Sequence, residues 1–187
     1  MKDRSLEKLK RYNKMFFVDA ETDGLYGDFI SIAAIVVDDT GREIDVFYKA
    51  AKNICERENH IDWVKENVLP YLGACQWVAS EDELISSFWE FWMKYKQESL
   101  CIADVPYPVE FRLFQRCVEQ DIQIRSKDAP YPFLDISSML YVKGIDPNVE
   151  RRKLIDKNTG ILHNALDDVR MNINIWKKIR GDGTFII

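Results

Sequence analysis

Apolar residues recur along this chain in two rhythms, one of strands and one of helices. Lys14 to Ala20 carries the unbroken block Met15-Phe16-Phe17-Val18, Phe29 to Val37 is rich in Ile and Val, and Glu43 to Ala51 alternates through Ile44, Val46 and Tyr48. These are strand patterns. Asp38-Asp39-Thr40-Gly41 separates the second from the third as a turn, so the three are predicted to form an antiparallel meander. Ile61 to Leu69 reads as a short helix ended by Pro70. Glu81 to Tyr95 reads as a longer helix with Ser80 as N-cap and Glu83 at the third helical position. Its Leu84, Phe88, Trp89, Phe91, Trp92 and Tyr95 form a broad aromatic stripe, which we assign to the core rather than to base stacking. Leu100 to Ala103 is a buried strand and Pro108 to Glu119 a helix with proline near its first turn. Phe133 to Val142 is a mostly helical segment after a strand, and His163 to Ile179 is the last long helix. A three-strand meander followed by strands alternating with helices predicts an α/β fold, a mixed sheet flanked by helices. Residues 1–187 read as one domain, with a charged extension over residues 1–13.

Composition narrows the classes. A chain of 187 residues suits one core of ordinary size and leaves no room for a polymerase or helicase. Hydrophobic content of 47%, with five Trp and ten Phe, excludes wholesale disorder. The longest apolar stretches, around Phe29 to Val37, are far below a membrane span, and Met1 to Lys14 has no apolar segment of a secretory signal. The expectation is a cytoplasmic protein with no membrane partner. Cys55, Cys75, Cys101 and Cys117 are widely spaced, and with His60 and His163 as the whole histidine complement a zinc cage is not expected; the cysteines read as reduced structural thiols. A net charge of −5 argues against a broad basic nucleic-acid-binding surface. It does not exclude a nuclease, because carboxylates gathered to hold cations are themselves negative.

Three distant segments carry candidate chemistry. Asp19 ends the first strand and Glu21, two residues on, points to the same side. Solvated acids at a strand end would look the same, but His163-Asn164-Ala165-Leu166-Asp167-Asp168 adds a histidine and an acid at the start of the last helix. Between them lies Asp104-Val105-Pro106-Tyr107-Pro108-Val109-Glu110. Divalent Mg²⁺ or Mn²⁺ prefers oxygen ligands, which Asp and Glu supply, and two such ions can activate water and stabilise a leaving oxygen in phosphodiester hydrolysis. On that chemistry Asp19 bridges, Glu21 completes one ion, Asp168 anchors the other, and His163 fits a general base.

Asp-x-Glu-Thr followed by Gly-Leu, an acidic residue heading a central helix, and His-x-Ala-Leu-x-Asp together resemble the three motifs of the DEDDh, or DnaQ-like, 3′-to-5′ exonucleases. The resemblance runs from about Met15 to Lys178. Trp63-Val64-Lys65-Glu66-Asn67-Val68-Leu69-Pro70 and the Asp104–Glu110 stretch further resemble the bacterial exoribonuclease-like branch. The resemblance implies an RNase H-like sheet and two Mg²⁺ or Mn²⁺ ions. It also implies 3′ ends of single-stranded RNA or DNA as substrate, RNA favoured, nucleoside 5′-monophosphates as products, and admits a homodimer. It places the terminal nucleotide against the segment after the first motif. There Thr22 and Gly24 would offer backbone donors, and Leu25 and Tyr26 would wedge or stack, unless Tyr26 is simply an exposed turn aromatic. Family members carry Phe-Asp where this chain has Val109-Glu110, so either Asp104 or Glu110 is the second-motif ligand. Alternatives are a DNA proofreading or repair exonuclease, and a binding module on the same fold without useful turnover. Asn164 is a candidate helix cap, and Asp167 is expected to face solvent. The loop Lys143 to Thr159, with its run Arg151-Arg152-Lys153, is either a phosphate-contacting flap or a solvated turn.

Overall fold

The computed structural model describes residues 12–155 and 160–181, so most of the charged N-terminal extension and the end of the Lys143–Thr159 loop lie outside the described residues. The chain forms β1 (Lys14–Thr22), β2 (Phe29–Asp38), β3 (Glu43–Ala51), α1 (Lys52–Cys55), α2 (Asp62–Asn67), a 3₁₀ turn at Leu69–Tyr71 and β4 (Gln76–Val78). Next come α3 (Glu81–Tyr95), β5 (Ser99–Ala103), α4 (Val109–Glu119), α5 (Ile122–Arg125), β6 (Phe133–Asp135), α6 (Ile136–Val142), a 3₁₀ turn at Arg151–Leu154 and α7 (Ala165–Arg180). Six strands make one mixed sheet in the order β4-β3-β2-β1-β5-β6. The β1–β2 and β2–β3 pairs are antiparallel, while β4 on β3, β5 on β1 and β6 on β5 are parallel. This is the predicted α/β sheet.

The meander follows from its turn. The Asp38 carboxylate accepts from the Thr40 and Arg42 N–H groups, each at 3.0 Å, and from the Thr40 hydroxyl at 2.6 Å, which folds β2 back onto β3. β1 sits inside the sheet and is covered on both faces, which explains its unbroken apolar run. Phe16, Val18 and Ala20 face one layer with Leu84, Phe88, Trp92, Leu113 and Phe114 of α3 and α4. Met15 and Phe17 face the other, with Ile136 and Leu140 of α6 and Val169, Ile175 and Trp176 of α7. The aromatic stripe of α3 is core: Phe16 meets Phe88 and Trp92 edge-on, with centroids 6.1 and 5.0 Å apart.

Several boundaries differ from the sequence reading. The helix before Pro70 already stops at Asn67, and Pro70 lies within the 3₁₀ turn, where its fixed φ is accommodated. Ser80 caps α3 by accepting from the Glu83 N–H at 3.2 Å, while Glu83 reaches back to the Ala79 N–H at 2.8 Å. α7 starts at Ala165, because Asn164 takes the cap and His163 stands outside the helix. All four cysteines are free thiols. Among the described residues no helix is long and apolar enough to cross a membrane.

Candidate metal centre

The pairing of β1 with β5 ends at Phe17 and Ile102, and beyond it the two strands part. The C-terminal ends of parallel strands beside such an opening are where open α/β sheets place their sites. Glu110, the second residue of α4, enters the gap: its Oε1 accepts from the Ala20 N–H at 3.3 Å. Alternation along β1 turns Asp19 and Glu21 to the α7 side. From α7 comes Asp168, and one ligand atom from each of Glu21, His163 and Asp168 lies within 4.8 Å of the others.

No Lys or Arg forms a salt bridge with Asp19, Glu21, Glu110 or Asp168 among the described residues. Loss of water, then mutual repulsion, raises their pKa values. Asp19 is pushed well above the usual carboxylate range by burial and then by Glu21, Glu110, Asp168 and Asp104. Burial takes Glu21 and Glu110 each to about 8 and Asp168 to about 7. A set of hard oxygen donors with no salt bridge to Lys or Arg among the described residues fits divalent Mg²⁺ or Mn²⁺.

His163 is held by its surroundings in an unusual backbone state, with φ at +60°. Its N–H donates to Asp168 Oδ2 at 3.1 Å, and the half-exposed Trp63 ring meets the imidazole edge-on at 4.7 Å. Burial and then Arg152 lower its pKa, so at neutral pH the ring is uncharged and can accept a proton. Asn164 fixes the next residue: its Oδ1 accepts from the Leu166 and Asp167 N–H groups, each at 3.1 Å. Its amide nitrogen donates to Tyr71 O at 2.7 Å and to the Tyr48 hydroxyl at 3.1 Å. Asp167 does not simply face solvent, as expected; its Oδ2 accepts from the Ile161 N–H at 2.9 Å and ties down the loop before His163.

Asp104 and Glu110, alternatives in the sequence, have different environments. Arg151 grips Asp104 through two guanidinium nitrogens, at 2.6 and 2.9 Å, and also donates to the Ser137 hydroxyl and to Pro147 O. Arg151 is thereby neither a phosphate-contacting flap nor a solvated turn residue. Nothing near Asp104 in sequence signals this partner. Lys153 pairs with Glu150 on the surface, and of the basic run it is Arg152 whose charge reaches His163 and Asp168.

After Glu21 the chain makes a tight loop. Gly24 has φ +76°, and its N–H is used within the loop by Thr22 O at 2.9 Å, while the Thr22 hydroxyl donates to Gly24 O at 2.7 Å; the Gly24 N–H is therefore not a free donor, contrary to expectation. Asp23 accepts from the Ile61 N–H at 3.0 Å and faces His60 Nδ1 at 3.2 Å. Arg112 of α4 donates to Leu25 O and Gly27 O, both at 2.8 Å. Loop backbone so pinned leaves Leu25 and Tyr26 exposed, at 62% and 67%.

No protein-family model matches the chain, and no curated protein matches it in sequence. Its fold is found in solved structures. Escherichia coli exonuclease I in complex with a dA16 oligonucleotide superposes with a TM-score of 0.62 at 16% identity, over 90% of this chain and 41% of that one. Exonuclease I from Methylocaldum szegediense gives 0.54 at 13% identity, over 89% of this chain and 40% of that one. Cell-death related nuclease 4 gives 0.53 at 13% identity, over 90% of this chain and 64% of that one. The chain thus spans about two fifths of the exonuclease I chains it matches, and shares their fold.

Proposed function

We propose that this chain is a metal-dependent exonuclease of the DnaQ-like kind, a single domain that removes nucleotides from the 3′ ends of single-stranded nucleic acid. The observation that carries the reading is the gathering of four desolvated, mutually repelling carboxylates, none salt-bridged to Lys or Arg among the described residues, at the open end of β1 and β5, with Glu21 and Asp168 within 4.8 Å of His163. Asp19, Glu21, Glu110 and Asp168 would hold two Mg²⁺ or Mn²⁺ ions. Glu110 is the second-motif ligand in this reading, because Asp104 is already satisfied by Arg151. Bound there, the ions supply Lewis acidity to the phosphodiester and to the attacking water. His163 takes the proton of that water at a ring nitrogen; Asp168 holds its backbone N–H and Trp63 packs against the ring. Leu25 and Tyr26 receive the terminal nucleotide; the exposed Trp63 ring lies against His163. The products are nucleoside 5′-monophosphates.

Two sugars have support. The Trp63–Pro70 and Asp104–Glu110 segments resemble exoribonucleases and favour RNA, whereas the exonuclease I structure was solved with a DNA oligonucleotide and favours DNA. Matched RNA and DNA oligomers, labelled at the 5′ end and supplied with Mn²⁺, decide both activity and sugar. A ladder of shortened products is expected from free 3′ ends, slowed by a 3′ phosphate. Cleavage of a circular strand, or no cleavage of either sugar, overturns the reading. Sizing the protein by light scattering tests whether it is a homodimer.

A further inference from the structure

Two polar groups behind the carboxylates have no hydrogen-bond partner among the described residues: the Ser31 hydroxyl and the Asn172 amide oxygen. Ser31 is fully buried and Asn172 is 3% exposed. A buried polar atom left unpaired costs about 1–3 kcal/mol, so two in one place call for a reason. Their positions supply one. In the β1–β2 register Ser31 lies directly opposite Glu21. Residues paired in this way share a face of the sheet with Cβ atoms about 4.5–5.5 Å apart. Ser31 is also in step with Ala33 and Ile35, which face the α7 layer. Asn172 lies four residues along α7 from Asp168, one turn further in on the same face. The floor of the cluster thus carries a hydroxyl that can donate below Glu21 and an amide oxygen below Asp168, both unused.

We propose that Ser31 is the positioning residue for Glu21. With a cation in place the Ser31 O–H donates to one Glu21 carboxylate oxygen and leaves the other aimed at the ion, and Asn172 continues that polar floor behind Asp168. The inference rests on the metal-centre reading given above. A carboxylate ligand turns freely about its last bond, and an outer partner fixes it; losing such a partner typically weakens metal affinity by about 10–100-fold. Serine on a central strand suits the task, since its backbone is locked by β1 and β3 on either side.

Ser99 provides an internal control. Its hydroxyl is also buried and has no hydrogen-bond partner among the described residues, but it lies opposite Lys14 at the other end of β1. Mn²⁺ is titrated calorimetrically into the full chain, without substrate, for the parent, Ser31→Ala, Ser31→Thr and Ser99→Ala, and each metal-free protein is melted. Ser31→Ala should bind Mn²⁺ about 10–100-fold more weakly, while Ser31→Thr, which keeps the hydroxyl, and Ser99→Ala stay near the parent. Both alanine variants should melt at or above the parent without metal, because each removes an orphaned group. Parental Mn²⁺ affinity in Ser31→Ala overturns the proposal, as does an equal loss in Ser99→Ala, and so does a metal-free Ser31→Ala protein that melts below the parent. A parent that binds no Mn²⁺ defeats the metal-centre reading itself, and the parental titration alone reveals that case.

Discussion

Replacing Glu110 by Gln removes a charge from the cluster and still leaves the Ala20 N–H an acceptor. Turnover should fall by at least about 10²-fold, as expected for losing a ligand of the metal that does the chemistry, while the metal-free protein melts no lower than the parent. Asp104→Asn should behave the other way. It strands the Arg151 guanidinium, whose side chain is only 12% exposed, and breaking a largely buried pair on one side destabilises by about 3–5 kcal/mol. Activity per folded molecule should fall much less than in Glu110→Gln. Urea unfolding and steady-state kinetics on both variants check the pair, and the reverse pattern would restore Asp104 as the ligand. For His163→Ala the expected loss is roughly 10²–10⁴-fold in kcat, with Mn²⁺ affinity kept because the carboxylates remain. An unchanged kcat would remove the histidine from the chemistry.

The start of α7 is held by a lattice of Asx side chains. Asn164 caps the helix and anchors it to the Leu69–Tyr71 turn, Asp167 holds Ile161, and Asp168 holds His163. Asn164→Ala loses the cap and leaves the Tyr71 carbonyl short of a partner, so we expect a loss of about 2 kcal/mol or more together with lower kcat. Asn164→Asp, which keeps the cap but not the amide donor, should recover part of the stability. Equal melting temperatures for all three proteins would contradict this account. The same lattice explains what a sequence can and cannot announce. Asn164 was legible as a cap, since capping is local, and β1 to β3 were legible because alternation and the Asp38 turn are local too. β4 was not: three residues pairing only with β3 leave no periodicity to read. Arg151 on Asp104, Arg112 on the Leu25–Gly27 loop and Trp63 on His163 join residues 47, 87 and 100 positions apart, and no pattern within a segment encodes them.

Across the whole molecule the carboxylates set how stability responds to pH. Their folded pKa values, about 8 for Glu21 and Glu110 and about 7 for Asp168, lie above the ordinary values near 4. A raised carboxyl pKa means that the folded state holds protons the unfolded chain releases. The associated stability is therefore full below about pH 4 and is lost as pH rises through about 8. In EDTA the melting temperature should drop between pH 5.5 and 8.5, by roughly 5 °C or more for a chain of this size. Added Mn²⁺ should reverse the drop at the alkaline end, where the carboxylates are free to bind it. Asp19→Ala should flatten the metal-free profile. A profile independent of pH in EDTA would mean that the cluster is better hydrated than its packing indicates.

The sheet order has a consequence for how a working molecule comes into being. β1 is interior, yet it is the first strand among the described residues; its parallel neighbour β5 begins at Ser99, and Asp168 comes later still. During synthesis from the N-terminus the first two acids of the proposed centre are therefore made well before the residues that would complete it. A nascent chain holding β1 to β5 can build much of the sheet before the α7 residues of the proposed centre exist. Chains arrested before His163 should accordingly show no Mn²⁺ uptake and no nuclease activity, while the same preparation extended through α7 gains both at once.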